Sequence, residues 1–362
     1  MKRVLMVLTT SFSKSGIGNV VRNYTSALHD LVHFDFFLCR GIDEDNKKYV
    51  DTINGKIIIP KSNREKDPIG YVKEFVSLTK NNNYDAVHIH GNSCTMFFDA
   101  FASRVAGIKN IIAHSHSTYT DYPFLHLFLK PFLNLFISTG LACSDEAGKW
   151  CFYKYSILNN AIDTRRFEFS LEDRNKLREQ LDLNNKEFVL LSVGHLDKGK
   201  NQSYIIKLVS RLKNEFGYNF KLYIVGQGNL KNALNEQIMS NDLCDNVYLI
   251  GESSSVEQFY SMSDCFVFPS LYEGLGIVLI EAQASGLHCL ASQEVPELSN
   301  VCGNVKYIPL QDEDSWINEL IYLFNHRFET DRLNESKICC EVIEKKGYDI
   351  TSSAKELINY YS

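Results

Sequence analysis

The sequence predicts an α/β protein made of two doubly wound domains with parallel sheets. Three observations carry that expectation. The chain has 362 residues, against a prior of about 150 per domain. Apolar residues make up 44% and charged residues 23%, enough to fill complete cores. Short β-branched apolar runs alternate with longer helical patterns, and the alternation occurs twice.

Taken in order, the first run is Val4–Leu8, which follows Met1-Lys2-Arg3 in the manner of a signal peptide. It stops short of the roughly 7–15 apolar residues a leader needs and reads as a buried strand. Strands are expected next at Phe34–Leu38, Ala86–His90, Ile111–His114, Gly140–Ala142 and Ser156–Leu158, with helices such as Gly18–His29 and Tyr71–Lys80 between them. Asn81-Asn82-Asn83 marks a polar surface loop. In the second half strands fall at Phe188–Val193, Lys221–Val225, Val247–Leu249, Cys265–Pro269 and near His288–Ser292. The polar segment Asn159–Phe167 reads as the linker and is followed by a charged helical stretch to about Leu183. The expected domains are 1–165 and 166–349, with an amphipathic helix over 350–362 that packs back on the first.

Several classes are excluded. No apolar run reaches the roughly 18 residues of a membrane-spanning helix. The 10 cysteines are scattered without Cys-x-x-Cys or Cys/His zinc spacing, which suits reduced thiols in a cytosol. Net charge is −6, with 20 Lys+Arg against 15 Asp+Glu in residues 1–166 and 18 against 29 in 167–362. The first half thus suits anionic surfaces only weakly, and a solvated charged surface explains it better. No dense Lys/Arg cluster with interleaved aromatics appears, so no nucleic-acid partner is expected.

Open α/β sheets bind ligands beyond the carboxyl ends of their strands, and two facing sheets would make one cleft at the seam. Residues just after strands are therefore the candidates. After the first strand, Ser13–Asn19 puts Gly16 at a helix start where an anion could approach. Gly16-x-Gly18 is followed by Val21 where a dinucleotide fingerprint needs its third glycine, which argues against a nicotinamide dehydrogenase. His88 and His90 end one strand, His114 and His116 the next, and alternation puts each pair on one face. Four imidazoles near one rim read as hydrogen-bonding cleft residues, with His88, His90 and His114 as acceptor-side candidates. Metal binding there would need further ligands.

In the second half, Gly194, His195, Lys198 and Lys200 follow a strand and would meet a phosphate with mobile positive charge, a solvated loop being the equal alternative. Cys265–Pro269 leads through Ser270–Gly276 into a helix over Ile277–Ser285. Glu273 and Glu281 then flank a glycine-rich helix start, whose N–H groups favour a phosphate or sugar oxygen while carboxylates accept from vicinal hydroxyls. Residues 122–138 are unusually apolar and aromatic. They read first as a buried or packing helix and second as a segment lying on a membrane.

Together these stretches resemble the family 4 retaining glycosyltransferases of GT-B fold, in which two Rossmann-like domains face each other across a cleft. Tyr272-Glu273-Gly274-Leu275-Gly276 through Glu281-Ala282-Gln283-Ala284-Ser285-Gly286 is similar to that family's Glu-x7-Glu signature. Val193-Gly194-His195 through Lys200-Asn201, Val225-Gly226-Gln227-Gly228, Asn246–Gly251, Ala142-Cys143-Ser144 and Asn159–Asp163 supply its context. The resemblance spans nearly the whole chain and is greatest to capsular and exopolysaccharide enzymes of bacteria.

It implies transfer of a sugar from a nucleotide diphosphate, a UDP-sugar by preference, to a glycan or lipid-linked saccharide, with retention and with no metal or other cofactor. By the same resemblance Glu273 would contact the donor sugar, and the N–H groups of Gly274, Leu275, Gly276 and Ile277 would hold sugar and diphosphate. Glu281 would take the ribose hydroxyls, Lys200 and Gly16 the diphosphate, and His116 or His114 the donor sugar. The protein would be cytoplasmic, with 122–138 as its contact with the inner face of the membrane. Three residues depart from the pattern: His195 stands for an arginine, Ser15 for a glycine and Asn160 for a glycine. A nucleotide-sugar epimerase on the same scaffold, or a non-catalytic subunit that binds the donor, are the alternatives.

Overall fold

The structure, a computed structural model, describes residues 1–13, 16–80, 82–184, 186–327 and 331–362. Ser15 and Asn81, both named above, lie outside them. The chain forms two compact units, Met1–Ala161 with Gly347–Ser362, and Ile162–Lys346.

The first unit holds a seven-stranded parallel sheet: β1 Lys2–Leu8, β2 Val32–Leu38, β3 Ile57–Ile58, β4 Ala86–Gly91, β5 Asn110–Ser115, β6 Thr139–Ala142 and β7 Ser156–Ile157. Its order is β3-β2-β1-β4-β5-β6-β7. Val4 to Leu8 are completely buried, as a strand covered on both faces must be. Alternation sends Leu5, Val7, Val87, Ile89, Ile111 and Ala113 to one core with Phe37 and Phe75. The register pairs Met6 with His88 and Leu8 with His90, so these histidines occupy the opposite face. The C-terminal helix Ile350–Tyr360 packs against the helix Gly16–Leu28, and Leu357 and Tyr361 are buried there.

The second unit holds a six-stranded parallel sheet: β8 Val189–Val193, β9 Lys221–Val225, β10 Val247–Gly251, β11 Cys265–Phe268, β12 His288–Ser292 and β13 Val305–Ile308. Its order is β10-β9-β8-β11-β12-β13, the strand order of the doubly wound Rossmann fold. Phe188, Leu190, Ile224, Val267 and Trp316 anchor its main core. Two strands carry no expectation from the sequence, the two-residue β3 and the edge strand β13.

The apolar segment forms the helix Pro123–Phe136 in the first unit. His126, Leu129 and Leu133 are buried, which bears out packing for one face, while Phe124, Leu127, Phe128, Phe132 and Leu135 are exposed on the other. Among the described residues no helix is long and apolar enough to cross a membrane.

Candidate active site

In the second unit β8 and β11 are hydrogen-bonded neighbours, with Cys265 opposite Leu190 and Phe266 opposite Leu191. The chain leaving β8 builds toward β9 and the chain leaving β11 toward β12. The two connections diverge at this switch point, which opens a crevice beyond the strand ends. Gly194, His195 and Lys200 follow β8, and Glu273 to Ile277 follow β11, so the fold brings both predicted segments to one place.

Local contacts fix Lys200. Its N–H donates to Asp197 Oδ1 at 3.0 Å, and the next residue, Asn201, adopts φ 55° and donates from Nδ2 to the Pro269 carbonyl at 3.2 Å. Asn tolerates this left-handed geometry better than most residues. The Leu271 N–H donates to the Gly199 carbonyl at 2.7 Å, tying the two loops again. Gly194 takes φ 154°, a backbone conformation that side chains rarely adopt, and a Cβ there would be in ordinary contact with the Lys200 stem at 3.5 Å. Lys200 Nζ forms an ion pair with Glu273 Oε1 and lies 5.2 Å from the Phe268 ring centroid. Ser270 Oγ donates to the same carboxylate oxygen at 2.8 Å. Glu273 Oε1 therefore has two donors while the lysine keeps further protons for an anion.

Gly276, at φ 71°, is the N-cap of the helix Ile277–Ala284, and no side chain caps it. Its first N–H groups and dipole thus face the end of the crevice uncapped. No atom lies within 4 Å of where a side chain on Gly274 would begin, so the loop backbone is open to a ligand. Glu281 lies one turn along, on the face of Ile277. Tyr260 donates its hydroxyl to Glu281 Oε2 at 2.9 Å. Burial pushes the Glu281 carboxyl up to about 7, against the Tyr260 hydrogen bond and Arg166. His195 is exposed, and its carbonyl accepts from Gln202 Nε2 at 2.9 Å. Sequence reasoning assigned no role to Ser270, within the Glu273 loop, or to Tyr260, which lies in no local motif; they hold the two glutamates.

The remaining predicted residues belong to the first unit. Gly16 opens the helix Gly16–Leu28 and is exposed, with nothing within 4 Å of an added Cβ. Gly18 is the crowded one, because a Cβ there would sit 1.9 Å from the Ser13 carbonyl oxygen. His116 follows β5, is 9% exposed, and has Nε2 2.9 Å from His90 Nδ1. Burial lowers its pKa to about 4, with the Asn160 side chain opposing the shift, so it is neutral at pH 7. His88, His90 and His114 are more deeply buried still.

Residues 173–336 match the family described as Glycosyl transferases group 1. That match lies within the second unit and supports glycosyltransferase activity. EpsF of Bacillus subtilis (strain 168), whose name describes a glycosyltransferase, is 28% identical over 377 residues, covering 100% of this chain and 96% of that one. An Escherichia coli enzyme, UDP-Gal:alpha-D-GlcNAc-diphosphoundecaprenol alpha-1,3-galactosyltransferase, is 28% identical over 345 residues, or 86% of this glycosyltransferase and 85% of its own length. Among solved structures, Anabaena Alr3699/HepE in complex with UDP superposes with TM-score 0.80 at 17% identity, covering 99% of both chains. The fold of this glycosyltransferase is GT-B, with one Rossmann-like sheet in each unit.

Proposed function

We propose that this glycosyltransferase moves a sugar from a UDP-sugar to a glycan or lipid-linked saccharide acceptor in bacterial surface polysaccharide synthesis, with retention at the anomeric carbon. The observation that carries the reading is the meeting of Lys200 and Glu273 with an uncapped helix N-terminus at the β8/β11 switch point. Charge leaves with the diphosphate as the anomeric carbon becomes cationic. Lys200 and the N–H groups of Gly274 to Ile277 are preorganised for that charge, so the diphosphate needs no metal. Glu273 holds the donor sugar and Glu281 the ribose hydroxyls. In the first unit, His116 is neutral at pH 7 and able to hydrogen-bond a sugar hydroxyl, and the exposed Gly16 leaves its backbone open to a phosphate. With no carboxylate assigned as nucleophile, transfer is front-face, and a covalent glycosyl-enzyme isolated from the wild type would refute it.

The name of the E. coli relative, with UDP-Gal as donor and a diphosphoundecaprenol-linked acceptor, supports both substrate classes. The exposed apolar face of the helix Pro123–Phe136 would meet the membrane that presents such an acceptor. Changing Phe128 and Phe132 to serine should reduce flotation with phospholipid vesicles; unchanged flotation of a folded variant removes that role.

The reading as a whole is tested by calorimetric titration with UDP and GDP. UDP should bind the wild type and bind Lys200→Ala more weakly, and turnover of the variant should fall by roughly 10²- to 10³-fold. Failure of both nucleotides to bind would overturn the donor site, and binding without turnover on any lipid-linked acceptor would favour a non-catalytic subunit.

A further inference from the structure

Strands β4 and β5 pair in register with His90 opposite His114, so His88, His90 and His114 share one face of the first sheet. They are 0%, 1% and 0% exposed. Ring centroids are 4.1 Å apart for His88 and His90, 5.4 Å for His90 and His114, and 5.5 Å for His88 and His114. A neutral imidazole has one donor and one acceptor nitrogen, and buried polar atoms nearly always find partners. Here each ring spends at most one nitrogen. His88 Nδ1 lies 2.8 Å from the Tyr361 hydroxyl, and His90 Nδ1 lies 2.9 Å from His116 Nε2. His114 has the backbone of Leu158 beside it, yet neither of its nitrogens makes a well-formed hydrogen bond. Among the described residues, His88 Nε2 and His90 Nε2 have no hydrogen-bond partner.

We propose that His88, His90 and His114 form a site for a divalent transition-metal ion of the zinc class, one ring nitrogen from each acting as ligand. The candidate ligand atoms lie within 4.8 Å of one another. A tetrahedral ion with Zn–N of about 2.0–2.1 Å needs them about 3.4 Å apart, so on loading the rings would draw together by side-chain rotation. The hydrogen-bond pattern is that of ligated histidines, whose second N–H is held by an outer partner, here Tyr361 for His88 and His116 for His90. A water completes the four positions, and loss of its proton halves the buried charge. Burial holds all three pKa values well below the usual histidine range, so the rings carry free lone pairs at neutral pH.

A second cluster, Cys94, His126 and Cys151, does not compete, because its imidazole is already committed. His126 Nδ1 accepts the Cys94 N–H at 3.1 Å, and its Nε2 lies 3.1 Å from the Trp150 carbonyl oxygen. Ligation at β4 and β5 has a consequence for His116. With His90 Nδ1–H donating to His116 Nε2, His116 must carry its proton on Nδ1. The ion would set the tautomer of His116, whose role toward a sugar rests on the function proposed above.

The test uses the full chain, stripped with EDTA and loaded with Zn²⁺ or Co²⁺ before desalting. About one ion per chain should remain, falling at least roughly tenfold in His114→Ala and persisting in Cys94→Ser. The Co²⁺ form of the wild type should show the visible bands of a nitrogen-ligated tetrahedral ion without a thiolate charge-transfer band, a readout that does not depend on any variant folding. No stoichiometric metal in the wild type, equal retention by a folded His114→Ala, or a thiolate band would each overturn the proposal.

Discussion

Glu281 lies where its charge is costly to the fold and, on the proposed function, useful to a ligand. Burial raises its pKa from 4.5 to about 7, with the Tyr260 hydroxyl and Arg166 opposing the shift. In the unfolded chain a glutamate titrates near 4.3. Between about pH 4.5 and 7 the native protein therefore holds a proton that the unfolded chain has released, and stability falls as pH rises through that window. Glu281→Gln keeps an oxygen for Tyr260 and removes the titration. Its urea midpoint should match wild type near pH 4.5 and exceed it at pH 8, by on the order of 1–3 kcal/mol in stability. Parallel pH slopes for the two proteins would contradict this. The same variant should bind UDP about tenfold more weakly, since an amide oxygen is a poorer acceptor for ribose hydroxyls than a carboxylate. Greater stability at pH 8 with weaker binding separates a ligand-facing glutamate from a merely structural one.

At the scale of elements, the crevice depends on glycines where loops cross. Gly226 follows β9 at φ 148°, and a Cβ there would sit 1.9 Å from the Gly194 carbonyl oxygen. Because the obstacle is backbone, Gly226→Ala must displace the loop that carries Gly194 and His195. It should cost on the order of 1–3 kcal/mol in thermal unfolding and weaken UDP binding, whereas Gly217→Ala, with nothing within 4 Å of its Cβ, should leave UDP binding unchanged. Equal UDP affinities for both variants would show that the loop tolerates the shift. These positions also mark what sequence can reveal. Val4–Leu8 and Phe188–Val193 were legible because buried parallel strands read as continuous apolar runs. β3 has two residues and no period to detect, and Lys306 in β13 is exposed, so Val305–Ile308 reads as a loop. Lys200 and Glu273 were legible as motif positions, but Ser270 and Tyr260 acquire meaning only when the chain folds them onto the glutamates. The histidines were legible as alternating pairs. Their depth was not, because it depends on Leu158 and on Tyr361 from the far end of the chain.

At the scale of the whole molecule, the first unit is discontinuous, since Gly347–Ser362 belongs to it although Ile162–Lys346 forms the second. Leu357 is fully buried, Tyr361 is 1% exposed, and Ala354 and Ile350 are nearly as deep. Asn110 Nδ2 donates to the Tyr360 carbonyl at 2.8 Å, which ties this helix to β5. Each fully buried large side chain is worth about 1.5–3 kcal/mol, so losing three approaches the roughly 5–15 kcal/mol that holds a typical domain. A chain ending at Lys346 should therefore lose the cooperative unfolding of the first unit and expose it to protease. The second unit keeps its sheet, its core and the Lys200–Glu273 crevice within Ile162–Lys346, so its calorimetric transition should remain. Two transitions in the full chain and one in the truncated chain are the expected scans. A truncated protein that still showed both, with β4 and β5 protected from hydrogen exchange, would mean that the C-terminal helix only covers the first unit. Loss of both would mean that the second unit cannot fold without the first.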